Sequence, residues 1–178
     1  MAIEAARRQI VVSSLALFFT ACNTANPDLS AFTEEEPPRL SSSIRVWEPS
    51  TAAQLISGWN QVEDNAWRWT AQHFSVVLRP PPGSATRGAT LQFHFYLPEP
   101  EMSRLKEVTL SASIQSSHFA PETYRAAGEA VYVREVPAIV LSGDSVRVDL
   151  ALDKPFVPGN GDPRMLGVIA KRLSLESK

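Results

Sequence analysis

The sequence predicts an all-β domain of antiparallel strands, closed as a sandwich or a barrel. Three observations carry that expectation. Three runs alternate apolar and polar residues with a period of two, the pattern of a strand with one buried face. In the first, Leu91, Phe93, Phe95 and Leu97 alternate with Gln92, His94 and Tyr96. In the second, Val108, Leu110, Ala112 and Ile114 alternate with Thr109, Ser111 and Ser113; in the third, Val146, Val148, Leu150 and Leu152 alternate with Arg147, Asp149 and Ala151. Proline and glycine then punctuate the chain at short intervals, at Pro80-Pro81-Pro82-Gly83, Pro98, Pro100, Gly143 and Pro158-Gly159-Asn160-Gly161. Short strands joined by such turns are the signature of a sandwich or barrel. Helical signals, finally, are few: residues 100–105 form one turn and residues 50–56 another, with Ser50 as its cap.

Taken in order, the chain opens with Arg7 and Arg8, then the apolar run 10–19, then the small pair Thr20-Ala21 ahead of Cys22, the single cysteine. A basic start, a short apolar stretch and a small-residue exit are the parts of a secretory signal peptide. The run is too short to span a bilayer, which takes about 20 apolar residues. Phe19-Thr20-Ala21-Cys22 resembles the bacterial lipobox. The resemblance implies a signal peptide over 1–21, cleavage before Cys22 and acylation of its thiol. Asn23, where enteric bacteria place Asp for inner-membrane retention, favours the outer membrane. The rival reading of Cys22 is a buried free cysteine in a first helix.

Residues 22–43 hold Pro27, Glu34-Glu35-Glu36, Pro37-Pro38 and Ser41-Ser42-Ser43, with few large apolar side chains. Such sequence buries too little surface to offset its chain entropy and reads as a flexible tether. The acidic triplet is read as a solvated spacer rather than an interaction site. Residues 44–178 form the β domain, long enough to bury a core without a disulfide. That matters because acylation of Cys22 leaves no thiol to bridge. Besides the three runs above, strands are expected at 44–47, 67–70, 74–78 and 131–136. A last strand opens with Leu166, Val168 and Ala170 on one face and continues through Leu173 and Leu175.

The formal net charge is −2. Residues 1–21 contribute Glu4, Arg7 and Arg8, so the exported part is near −3 with its basic residues scattered. A nucleic-acid partner needs a basic stripe and an anionic membrane needs a basic cluster; neither is present. Attachment to a membrane would come from the lipid, stably with two or more acyl chains.

Two segments concentrate chemistry. One is Gly58-Trp59-Asn60-Gln61-Val62-Glu63, continuing to Trp67-Arg68-Trp69-Thr70; the other is Asp162-Pro163-Arg164-Met165-Leu166-Gly167. With Phe156-Val157-Pro158, and with Glu122-Thr123-Tyr124, Gly128-Glu129, Val136-Pro137 and Leu152-Asp153-Lys154 between them, they resemble a bacterial jelly-roll-like β-sandwich domain. That domain occurs in uncharacterised proteins and in regions fused to cell-envelope glycosyltransferases. The resemblance spans about residues 58–175. It implies a single antiparallel sandwich and no established activity.

The indoles of Trp59, Trp67 and Trp69 offer flat apolar faces on which the C–H faces of sugars stack. Strand alternation puts Trp67 and Trp69 on one face and Arg68 on the other. The competing reading places them in the sandwich core, where buried tryptophans anchor many such folds. Core is the expectation for Trp69; Trp59, after Gly58 in an expected turn, is open to either. Trp59, Glu63 and Trp67 are therefore the candidate ligand-binding residues. Arg68 and Arg164 lie near Glu63 and Asp162 in sequence, and an arginine fork matches a carboxylate. Structural ion pairs are the default for Arg68, Asp162 and Arg164, and recognition of an anionic glycan is the alternative. The loop 159–162 reads as a tight turn rather than a calcium site, because it carries one acid.

Catalytic chemistry finds no foothold. His73, His94 and His118 lack the spacing of a metal-binding helix motif; His73 and His118 read as surface residues and His94 as the polar face of a strand. There is no nucleophile elbow and no phosphate-binding loop, so no catalytic residue, metal or cofactor is assigned. The sequence thus points to a lipid-anchored envelope protein carrying a non-catalytic binding module. Envelope polysaccharide is the expected ligand, and another envelope protein is the alternative partner.

Overall fold

The computed structural model describes residues 39–159 and 161–178. The signal peptide, Cys22 and the tether up to residue 38 lie outside the described residues. Ten strands follow in chain order: β1 Ser43–Arg45, β2 Leu55–Glu63, β3 Trp67–Leu78, β4 Ala89–Leu97, β5 Val108–Ile114, β6 Ser117–His118, β7 Glu122–Tyr124, β8 Gly128–Val136, β9 Val146–Leu152 and β10 Ile169–Ser177. Two short helices, α1 Ser84–Arg87 and α2 Glu99–Leu105, lie in the connections on either side of β4. All pairings are antiparallel, in the order β6-β5-β9-β3-β10-β4-β8, with β7 on β5, β2 on β3 and β1 on β10.

β3 turns this sheet into a sandwich. Its first half, at Arg68 and Trp69, pairs with β10. Its second half, from His73 to Leu78, pairs with β9. The strand therefore passes from one layer into the other, and the sheet curls over its own core. Phe74 on β3 meets Phe93 on β4 across that core, with ring centroids 5.5 Å apart. The two ends of the curl also touch: Tyr124 on β7 stands edge-on to Phe95 on β4 at 5.1 Å. Two donors on β8, Tyr132 Oη at 2.9 Å and Arg134 Nε at 2.7 Å, converge on the carbonyl of Ala120, and Arg134 Nη1 reaches Glu122 Oε2 at 2.9 Å.

The alternating runs lie as expected. In β4 and β5 every other residue is buried from end to end, and in β9 Val146, Val148, Leu150 and Leu152 enter the core. Other elements differ from expectation. The strands at 67–70 and 74–78 are one, because the polar stretch between them stays extended where β3 changes neighbours. Residues Pro49–Gln54 form a 3₁₀ helix, but its cap position is Glu48, not Ser50. Pro49 at the first turn explains the shift, since its fixed φ suits that position. Gly58 is not in a turn: it sits inside β2 at a register shift, with φ +76°. The turn lies further on, at Asp64 and Asn65, whose φ values of 50° and 53° belong to a type I′ hairpin closed by Ala66 N–H to Glu63 O at 3.1 Å.

The last strand starts at Ile169 rather than Leu166. Gly167 is the cause. It presses on β3, donating to Thr70 O at 2.6 Å, and a side chain there would meet Leu152 Cδ1 at 2.8 Å. The chain kinks at this point, so Val168 and Ala170 enter the main core while Leu166 joins a separate cluster. At the other end the domain begins before residue 44. Ser41 exchanges hydrogen bonds with Gln54 of 2.9 and 3.0 Å, and Ser42 O accepts from Leu175 N–H at 2.7 Å.

Candidate functional site

Register places one row of residues across the outer face of the second layer. Trp69 on β3 pairs with Ile169 on β10, Ile169 with Tyr96 on β4, and Tyr96 with Glu129 on β8. Trp67, two residues before Trp69, shares the face, and Glu63 lies opposite it on β2.

At one end of the row Trp69 is covered. Phe156 stacks on it at 6.3 Å and 22°, and Leu166 completes a small apolar cluster separate from the main core. Phe156 and Leu166 are themselves joined by backbone bonds of 2.7 and 2.8 Å. The segment they flank is clamped by Arg164. Its guanidinium holds both oxygens of Asp162, with Nε at 3.0 and 3.1 Å and Nη2 at 2.8 Å, and reaches Glu63 Oε1 at 3.0 Å. These bonds hold the Asp162 carboxyl below its usual range and make the Arg164 proton harder to remove; for Arg164 the Asp162 bonds are the larger cause and Glu63 the next.

Beyond the cover, the face is open. Trp67 meets Trp69 edge-on at 6.2 Å and 82° and stays half-buried. With Tyr96, Ile169, Lys171 and Glu129 it lines a groove of about 270 Å³. Lys171 Nζ lies 5.8 Å from the centre of the Tyr96 ring and pairs with Glu129. The groove thus has two aromatic rings, an aliphatic side chain between their strands and one ion pair at its rim. It offers flat apolar area beside a donor and an acceptor.

The candidates read from the sequence separate here. Trp67 is in the groove. Trp59 is not: its ring packs edge-on against Phe74 at 5.3 Å and its Nε1 donates to Ser75 O at 2.8 Å, so it serves the main core. The turn expected after Gly58 would have freed it; the continuous strand turns it inward. Glu63 is held by Arg164 beside the covered end of the row. Asp162 and Arg164 form the expected ion pair, with Glu63 as a third member. Arg68 does not: Nε donates to Val46 O at 2.6 Å and Nη1 to Asn60 O at 2.8 Å. Alternation turns it away from Glu63, toward the carbonyls of Asn60 on β2 and of Val46 just after β1.

Tyr96, Glu129, Ile169 and Lys171 were not among the binding candidates read from the sequence. The alternation of β4 shows Tyr96 facing outward, which was a usable signal. Nothing local shows that it meets Trp67, because two register pairings through β10 bring them together. Lys171 sits at a register shift between Ala170 and Arg172, where alternation fails. Among the described residues no group of three or more His, Cys, Asp or Glu side chains is placed to hold a metal, and no helix is long and apolar enough to cross a membrane.

No family model matches the chain, and no curated protein does. Several solved structures are similar to it. The structure of CBM51-2 in complex with GlcNAc and INT domains from Clostridium perfringens ZmpB matches 76% of this chain at 14% identity and TM-score 0.34. The M60 catalytic domain with CBM51-1 and CBM51-2 from the same protein matches 75% at 10% identity and TM-score 0.36. The chain spans only 28% and 13% of the lengths of those two. A CBM4 structure is matched over 82% of this chain and 91% of its own length, at 10% identity and TM-score 0.34.

Proposed function

We propose that this protein is a non-catalytic binding module of the bacterial envelope, held to the membrane by lipid on Cys22, and that it takes a saccharide in the groove of Trp67 and Tyr96. The observation that carries the reading is the pair of half-buried rings on one open face, beside the Lys171–Glu129 ion pair. A pyranose lays its C–H face on such rings while its hydroxyls bond to charged neighbours. Aromatic area stays exposed here because β10 and β4 place only Ile169 between the two rings. Closing a sugar over it removes that area from water at about 25 cal/mol per Å². The one acid lining the groove is held by Lys171, an arrangement suited to binding hydroxyls rather than to bond cleavage.

The test is intrinsic fluorescence titrated against a panel of bacterial polysaccharides and their oligomers. One glycan class is expected to quench or shift the emission saturably. Trp67→Ala should weaken that binding at least tenfold and Tyr96→Ala should weaken it also, while Trp59→Phe, in the core, leaves it unchanged. Indifference to every glycan, or full affinity in Trp67→Ala, overturns the reading. A second reading draws on Val131 and Val133, which stand exposed on the outer face of the end strand β8. A protein partner docking there would be lost in Val131→Lys/Val133→Lys and retained in Trp67→Ala.

A further inference from the structure

The outer face of the other layer carries a larger concavity, a trough of about 370 Å³ that shares no residue with the Trp67 groove. Register explains its shape. One row runs His118 on β6, Ser113 on β5, Asp149 on β9, Ser75 on β3 and Ser57 on β2; the next runs Ser111, Ala151 and His73. Small side chains on β5 and β9 make a low floor. His118 with Phe119 rises on one side and His73 on the other, and three strand spacings, about 14 Å, separate the two histidine strands.

Its hydrogen-bonding groups are mostly donors left free. The titratable and charged groups lining it are His73 from β3, His118 from β6, and Arg147 and Asp149 from β9; β2 and β5 bring serines and an alanine. Asp149 accepts from Arg147 Nε at 2.8 Å, so the two charges offset each other, while the terminal guanidinium nitrogens make no bond among the described residues. Both imidazoles are exposed. What the trough has to spare is therefore donors: the terminal N–H groups of Arg147, serine hydroxyls and an imidazole N–H from each histidine. An extended, hydroxyl-lined trough with spare donors suits an acidic sugar. The planar carboxylate matches the arginine fork, the hydroxyls match the serines, and Phe119 offers an apolar edge.

We infer that this trough is a second binding site, for a saccharide bearing carboxylate groups, in which Arg147 engages a carboxylate and His73, His118 and the serines bond to the remaining oxygens. It is independent of the Trp67 groove. Binding to oligogalacturonate, with the fully methyl-esterified oligomer as control, is measured calorimetrically on the full chain at neutral pH. The acidic oligomer should bind, and more weakly as salt is raised. The ester should not bind. His118→Ala, and the double variant Arg147→Ala/Asp149→Ala that strands no charge, should each weaken binding at least fivefold, and Trp67→Ala should not. The ring resonances of both imidazoles, followed by NMR, should move with ligand. Absence of binding, equal binding of the ester, or loss in Trp67→Ala each overturns the assignment. The last would place the oligomer in the aromatic groove instead.

Discussion

Glu101 shows what a single residue costs this fold. It lies in α2, 1% exposed, and neither carboxylate oxygen has a hydrogen-bond partner. Burial without a donor disfavours the charged form and pushes its pKa from 4.5 up to about 8. Below pH 4.5 the group is protonated whether the chain is folded or not, and the fold bears no penalty. As pH rises toward 8 the unfolded chain releases the proton while the folded one keeps it, so stability falls; above 8 the loss is complete. Between pH 5 and 7.5 the decline from this residue is about 3 kcal/mol. Glu101→Gln is expected to remove that slope, measured as the difference in urea stability between variant and parent across the range. A parallel decline in the variant would show that Glu101 is charged in the fold and bonded. Local pattern does not mark Glu101: it falls in the turn expected at residues 100–105, and its burial is set by how α2 packs.

Among the elements, β4, β5 and β9 were legible because each has a uniform environment on each face, so alternation survives along its length. β2 was not. It runs beside a strand that changes layers, and it follows by shifting register three times, which scrambles the period of two. Gly58 is where it gives way: φ is +76°, and a Cβ there would lie 2.7 Å from the Cα of Phe74. Gly58→Ala should therefore cost roughly 2–4 kcal/mol, from left-handed strain plus overpacking. Gly161 has φ +86° but open space around it, so Gly161→Ala should cost only about 1 kcal/mol. Denaturant unfolding of the two variants checks this, and equal losses would mean that the close approach of β2 to β3 is not as drawn. The site inherits the same limit. That Trp67 faces away from Arg68 follows from its own strand; that Tyr96, Ile169 and Lys171 surround it depends on pairings between strands far apart in sequence, which local pattern does not encode.

For the molecule as a whole, the question is what holds a curled sheet shut. The described residues contain no cysteine, since Cys22 is the only one in the chain. Closure instead comes from packing of Phe74, Phe93 and Phe95 between layers and from the side chains of β8 that grip β7 and its approach. Arg134 does most of that gripping, with its guanidinium 4.1 Å from the centre of the Tyr132 ring and bonded to Ala120 O and Glu122. If Cys22 serves the membrane alone, its thiol contributes nothing to this closure. A buried free cysteine would behave differently, because exchanging its sulfur for a hydroxyl in an apolar site costs about 1–3 kcal/mol. Cys22→Ser is thus expected to move the protein from the membrane fraction to the soluble one and to abolish incorporation of labelled palmitate. The purified variant should melt at the temperature of the parent, with or without reductant. A variant that stays on the membrane, or that melts several degrees lower, would return Cys22 to the core and remove the lipid from the account.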